Sequence, residues 1–235
     1  MVDNPANLGY TSVDYTLPEL EIRQIIVDGK EPVTESLTLT ERRDARRDSL
    51  EARCSSAAEL VNNSDEQWLV WCDLNSEAEL LSKLIENSVN VQGSDKPEHK
   101  TRSMFDFADG KLKCLITKPK IAGYGMNWQN CHNMIFVGLS DSFEAYYQSV
   151  RRCWRFGQLC KVNGYIIISA KEGAVKVNIE RKQADNEKFK QELVRLTKDI
   201  TTRELKSTCR VSTPYEPSMH IQFPEWEEFI NVKRA

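Results

Sequence analysis

Gln148-Ser-Val-Arg-Arg152-Cys-Trp-Arg155-Phe-Gly157-Gln158 sets three arginines, Arg151, Arg152 and Arg155, ahead of a Gly-Gln stop. The stretch follows an apolar, strand-like run, Met134-Ile-Phe-Val137, and a predicted helix opening near Asp141, where Asp141 and Glu144 fit an N-cap and its third-position carboxylate. In a helix, Arg152 and Arg155 are three apart and project from one face, and Gln148, four before Arg152, shares it. Guanidinium groups stay charged and form planar forks that match phosphate oxygens. Gly157 suits the left-handed turn that ends a helix. A strand that delivers such a helix presents fixed cations at a sheet edge. The competing reading is a solvated basic helix end, because arginine also suits the C-terminal helix dipole.

Moving outward, short apolar runs alternate with helical patterns. Trp68-Leu-Val-Trp-Cys72, Val89-Asn-Val91, Lys113-Cys-Leu-Ile-Thr117, Asn133 to Gly138 and Val162-Asn-Gly-Tyr-Ile-Ile-Ile168 have strand length and strand composition. Ser76 with Glu79 makes a capping box for a helix over 77–86, and Pro97 can open the next. Phe143, Tyr146, Tyr147 and Val150 are spaced to pack one side of the helix that carries the arginines. Strands alternating with helices predict a parallel sheet in an α/β fold. Between the third and fourth runs lies Lys118-Pro-Lys-Ile-Ala-Gly123-Tyr-Gly125-Met-Asn127-Trp128. Gly123 and Gly125 are compatible with an anion-cradling turn, and equally with a tight turn that holds no ligand.

Before this core, Leu17 to Val27 reads as one strand ending at the Asp28-Gly29 turn. Thr38-Leu-Thr-Glu41 is a capping-box pattern for a helix running toward Leu60. Arginines 42, 43, 46 and 47 on that helix read as a solvated face in preference to a phosphate contact. After the core, Glu172 to about Leu205 is a long charged helix. Pro214, Pro217 and Pro224 break helix in a tail whose Phe223, Trp226 and Phe229 are apolar anchors. The division expected is an extension over 1–59, a central lobe over 60–170, and a helix and docking tail over 171–235.

Hydrophobic residues are 40% of the 235, enough for a packed core, and a net charge of -3 argues against a basic coat while permitting a local basic strip. No apolar run approaches membrane-spanning length, and the N-terminus lacks the pattern of a signal peptide, so a soluble, cytoplasmic protein with no membrane partner is expected. The seven cysteines form no C-x-x-C pair, and His99, His132 and His220 lie far apart, so no metal site is expected. Cys72, Cys114 and Cys131 sit in or beside apolar runs and read as buried reduced thiols.

Q-x-x-x-R-x-x-R-x-G-Q over 148–158 resembles motif VI of superfamily-two helicases, in the form used by Swi/Snf-type translocases. The strand-to-helix unit from Trp68 resembles motif IV, and Gly93-Ser94 followed by Arg102 and Phe105 resembles the segment before motif V. The glycine loop resembles motif V itself, close to T-K-A-G-G-x-G-x-N, with Ala122 in place of the first paired glycine and Pro119 where a threonine is common. Trp128 and Cys-Trp-Arg-Phe-Gly look closest to the phage-type branch, of phage or prophage origin. The resemblance covers about 60 to 170. It implies a RecA-like three-layer domain with a mainly parallel sheet plus helical extensions at both ends, the second of two such lobes. It also implies roles. Arg155 would be an arginine finger, Arg152 a second γ-phosphate contact, and Gln148 a link between nucleotide and the lobe interface. Gly123, Gly125 and Asn127 would shape the loop at DNA and at that interface, with Lys118 and Lys120 as candidates for phosphate contact.

Phosphoryl transfer also needs a phosphate cradle and a metal-binding carboxylate. The sequence has no G-x-x-x-x-G-K-[ST], since Gly29-Lys30 is followed by Glu31, and no apolar strand ends in Asp-Glu. ATP and Mg²⁺ are therefore expected only together with a first RecA-like lobe, in the same parent chain or a separate one, and the chain alone should not hydrolyse ATP. Two other readings stay open: a stand-alone nucleic-acid- or protein-binding adaptor derived from a helicase lobe, and arginines that serve the fold by binding its own carboxylates. The finger reading expects Arg152 and Arg155 clear of acidic side chains and near the carboxyl ends of the strands.

Overall fold

The computed structural model describes residues 17–28, 39–123 and 125–206. Thr38 and the tail anchors Phe223, Trp226 and Phe229 lie outside the described residues. The chain divides into two compact units, residues 1–192 and 193–235, and the first holds the whole sheet. In chain order the elements are β1 (Leu20–Ile26), α1 (Leu39–Asp48), α2 (Leu50–Asn62), β2 (Trp68–Cys72), α3 (Asn75–Leu84), β3 (Ser88–Asn90) and α4 (Pro97–Ala108). There follow β4 (Cys114–Thr117), α5 (Pro119–Ala122), β5 (Asn133–Val137), α6 (Phe143–Cys153), β6 (Val162–Ile168), a 3-10 turn (Ala170–Glu172) and α7 (Gly173–Lys206). Among the described residues no helix is long and apolar enough to cross a membrane.

The strands form one six-stranded sheet in the order β1-β6-β5-β2-β4-β3, and every pairing is parallel. Right-handed crossovers put helices that follow steps in one direction on one face and those of reverse steps on the other. Accordingly α2 and α3 cover one face, packing Cys54, Ala57, Val61, Ala78 and Leu81 on Val70, Ile116, Ile135 and Ile167. On the other face α4 and α6 bring Phe107 and Val150 onto Leu69, Trp71, Leu115, Met134 and Phe136. With both faces covered, β2, β4 and β5 are buried along their whole length, which is why they read as unbroken apolar runs. The N-terminal strand β1 joins the same sheet, with Leu20 opposite Val162 and Ile26 opposite Ile168.

Several caps differ from the sequence reading. The third helix is fixed by Glu77 and not by Ser76 with Glu79: the Glu77 carboxylate accepts from the backbone N–H of Asp73 and Leu74, both at 2.9 Å, so the helix opens at Asn75. The helix expected from Thr38 toward Leu60 is interrupted at Ser49, whose hydroxyl bonds back to the Ala45 carbonyl at 2.7 Å. At α6, Ser142 and not Asp141 is the N-cap, its hydroxyl accepting from the Ala145 N–H at 3.2 Å.

Arg46 also departs from its expected solvated face. It donates to Asp73 at 2.8 Å, to Glu172 at 3.1 Å and to the Leu139 carbonyl at 2.8 Å. Beside it, Arg53 and Glu77 are completely buried and meet at 2.7 Å, while Arg53 also donates to Ser49 and to the Arg46 carbonyl. The Glu172 carboxylate lies 3.7 Å from Arg53 and accepts from the Ser169 N–H at 3.0 Å. Gly138 passes through this network at φ +80, and a Cβ there would lie 2.8 Å from the Arg46 guanidinium. The network joins α1 and α2 to the carboxyl ends of β2, β5 and β6.

Removing one partner of a fully buried pair leaves a charge without compensation. Glu77→Ala should therefore cost roughly 3–5 kcal/mol of stability, read from urea unfolding. The double change Arg53→Met with Glu77→Leu should cost clearly less than the single one. A second expectation concerns thiols: burial pushes the Cys54 and Cys72 thiols up to about 12, so thiolate is scarce near neutral pH. Peptide mapping after alkylation of the native protein at pH 8 should find exposed Cys160 modified and Cys54, Cys72 and Cys114 untouched until denaturant is added.

Candidate functional site

The helix that carries the arginines ends sooner than its sequence suggests. α6 stops at Cys153, and Arg155 lies beyond it in a turn closed by Arg155 N–H to the Cys153 carbonyl and Gln158 N–H to the Arg155 carbonyl. Gly157 does not cap the helix. It sits in that later turn at φ +91, and a Cβ there would lie 2.4 Å from the Gln129 side-chain oxygen. Gln158 is buried and locks the turn: its amide donates to the carbonyls of Cys131 at 3.0 Å and Cys153 at 3.2 Å, and its oxygen accepts from the Cys160 N–H at 2.9 Å.

Although Arg155 has left the helix, it and Arg152 still converge. Arg152 donates to the Met126 carbonyl at 2.8 Å, and Arg155 to the same oxygen at 3.4 Å. Gln148 braces Arg152 twice, through its backbone carbonyl at 3.0 Å and its side-chain oxygen at 3.4 Å. Nε of Arg155 is buried without a hydrogen-bond partner among the described residues. Among the described residues no carboxylate makes an ion pair with either arginine. Desolvation, with Arg155 and Arg151 nearby, lowers the Arg152 pKa from its ordinary value. A pair of cations sharing one neutral acceptor is a place where an anion would be stabilised. Arg151 takes no part, since it stacks on the Trp154 ring at 5.5 Å.

The acceptor Met126 belongs to the glycine loop. After β4 the chain makes the single turn of α5, and Gly123 closes it by donating to the Pro119 carbonyl at 2.8 Å. Gly125 is left-handed, at φ +80, and exposed Asn127 donates to the Gln129 side chain at 3.5 Å. Trp128 holds the loop in place. It is fully buried, with its indole N–H on the Met104 carbonyl at 3.3 Å, its backbone N–H on the Arg152 carbonyl at 3.0 Å, and its ring edge-on to Phe107 at 5.5 Å.

The candidates do not form one cluster. Arg152, Arg155, Gln148 and Asn127 gather at the amino-end rim of the sheet, since Gln158 bonds to Cys131 just before β5 and Trp154 donates to Pro18 just before β1. The expected position at the carboxyl ends is therefore corrected. A helix that follows a parallel strand runs back along it, so its last residues reach the opposite rim. Lys118 and Lys120 remain at the carboxyl end of β4. There Lys118 bonds the Asn75 side chain at 2.5 Å and Lys120 is exposed. Sequence reasoning missed Met126, Gln129 and the binding partners of Gln158. Met126 acts through its carbonyl, which no side-chain pattern reveals.

Residues 52–157 match the family model described as the helicase conserved C-terminal domain. Among solved structures, the chain is similar to the crystal structure of T4 UvsW, at 16% identity and TM-score 0.55, over 72% of this chain and 40% of that one. It is similar to the C-terminal domain of the DEAD-box protein Dbp5, at 15% identity and TM-score 0.50, over 72% of this chain and 86% of that one. The C-terminal part of the Fun30 ATPase domain aligns at 19% identity and TM-score 0.46, over 50% of this chain and 41% of that one. The chain thus spans about two fifths of the Fun30 and UvsW structures. No curated protein matches the sequence. The chain is built on the RecA-like α/β fold of helicase C-terminal domains, and the match to that family lies in residues 52–157.

Proposed function

We propose that this chain is the second motor lobe of an ATP-dependent DNA helicase or translocase, of the Swi/Snf type and the phage-like branch. The observation that carries the reading is the arginine pair. Arg152 and Arg155 share the Met126 carbonyl, and among the described residues no carboxylate pairs with either and Nε of Arg155 is buried with no hydrogen-bond partner. The chain's sequence has no phosphate cradle, so ATP with Mg²⁺ would be held by a first RecA-like lobe in the same parent chain or a separate one. When bound there, the triphosphate supplies the bond whose hydrolysis drives movement.

The residues of this chain then have distinct tasks. Arg155 leaves a weak acceptor at 3.4 Å and places its guanidinium against the charge developing on the γ-phosphate. Arg152, shorter-bonded and braced by Gln148, holds a second contact and stays tied to the Met126 loop. Gly123, Gly125 and Asn127 let that loop answer to the arginines. At the other rim Lys118 and Lys120 contact the DNA backbone, which makes binding independent of sequence and sensitive to salt.

The chain alone should show no ATP hydrolysis. In the two-lobe assembly, Arg155→Ala should lower the DNA-stimulated rate by roughly 10³- to 10⁵-fold. In the isolated chain the same change should cost no more than about 1 kcal/mol in urea unfolding, because among the described residues its side chain makes one long bond to a carbonyl. Full activity of Arg155→Ala in the assembly, or its unfolding in isolation, would assign the arginine to the fold. For the lysines, Lys118→Ala with Lys120→Ala should make the slope of log affinity for DNA against log salt shallower by about 1–2. An unchanged slope removes them from the interface.

A further inference from the structure

A cavity of about 300 Å³ lies between the β1–β6 side of the sheet and helices α6 and α7. Its floor is one face of β1. Leu20, Ile22 and Gln24 alternate along that strand and so point the same way, and Gln24 sits opposite Ile166 of β6. Tyr146 of α6 and Ile179 of α7 close the other side, and Glu180 and Gln183 line it from exposed positions on α7. The volume is ample for a ring, since an apolar cavity of roughly 150 Å³ takes up benzene. A mostly apolar wall with a few placed polar groups is the usual make-up of a small-molecule site. Gln24 is the misfit on the floor, because the neighbours on its face are aliphatic. Its Nε2 is buried with no hydrogen-bond partner among the described residues. An amide buried on those terms is costly to the fold, and an aliphatic side chain would pack better. The terminal torsion of glutamine is soft, so the amide can present its donor and its acceptor together to a ligand. Burial, with Glu180 nearby, pushes the Tyr146 phenol up to about 12, so its ring is a neutral flat wall. The lining holds one carboxylate, Glu180, and no lysine or arginine.

We propose that this cavity is a binding site for a small, uncharged heteroaromatic amine, of one or two fused rings with an amino group beside a ring nitrogen. The chemistry follows from the lining. An amino group next to a ring nitrogen sets a donor beside an acceptor, which complements the carbonyl and NH₂ of the Gln24 side chain. Glutamine pairs with the edge of adenine in the same two-bonded way. The ring faces then lie against Ile22, Ile166, Ile179 and the Tyr146 ring. A phosphate or carboxylate is disfavoured, because Glu180 repels it and no lining cation offsets that charge. The site is separate from the arginine pair and does not rest on the motor reading.

The test titrates the whole chain with 2-aminopurine, whose fluorescence reports stacking, and uses purine and 2-aminopurine riboside 5′-monophosphate as competitors. 2-Aminopurine should bind saturably with a Kd below about 1 mM. Purine, which lacks the amino group, and the monophosphate should each bind about 10-fold more weakly. Gln24→Leu should weaken 2-aminopurine by about 10-fold or more. The same change should leave the thermal unfolding midpoint of the free chain unchanged or raised, since an unsatisfied amide gives way to an aliphatic side chain. An amide that serves the fold would move both readouts down together. Absence of saturable binding in that range overturns the proposal, as does equal affinity for purine, equal or tighter binding of the monophosphate, or undiminished binding by Gln24→Leu. A lowered midpoint for Gln24→Leu overturns it too, because it assigns the amide to the fold.

Discussion

Burial of the Trp128 indole is the constraint on which both the fold and the site depend. A tryptophan side chain is large, and its N–H must find an acceptor once it leaves water. Here the acceptor is the Met104 carbonyl on α4, while the backbone of the same residue bonds the last turn of α6. One residue thus fastens the glycine loop to α4 through its side chain and to α6 through its backbone, and its ring packs against Phe107 and Trp71 in the core. Met126, two residues earlier, has its carbonyl aimed at the arginines as a result. Without that anchor, nothing short of the loop's own turns would set where the acceptor points.

The strands were legible because burial on both faces leaves no room for alternation, so β2, β4 and β5 appear as plain apolar runs. The RecA-like architecture followed from their alternation with helices and from the resemblance of residues 148–158. The caps were less legible, since several polar residues near each helix start could serve. Glu77 outcompeted Ser76 and Glu79 because its carboxylate is also drawn to buried Arg53. Charge in a helix misled for the same reason: Arg46 looks like its exposed neighbours Asp44 and Arg47 until Asp73 and Glu172 arrive from distant parts of the chain. Buried ion pairs between residues far apart in sequence have no local signature.

The placement of the site was half legible. Spacing brought Gln148, Arg152 and Arg155 together correctly, although the helix ends before Arg155. What spacing could not supply was which rim of the sheet they occupy, a property of topology and not of any motif. The structure divides the candidates between two rims, with lysines at the carboxyl end of β4 and arginines near the amino end of β5. The loop through Gly123, Gly125 and Met126 runs from one to the other. The arginines touch that loop through hydrogen bonds to the Met126 carbonyl, six residues after Lys120 in the chain.

The buried network of Arg46, Arg53, Glu77 and Glu172 has a bearing on dissection of the protein. Residues 52–157 carry the family match, yet Arg46 precedes that interval and Glu172 follows it. A fragment trimmed to those limits would keep Arg53 and Glu77 while discarding half of their electrostatic company, along with the outer strands that shield it. The smallest autonomous piece of this chain is therefore wider than its family signature, and shorter excisions should be judged by whether they retain both ends of that ionic clasp.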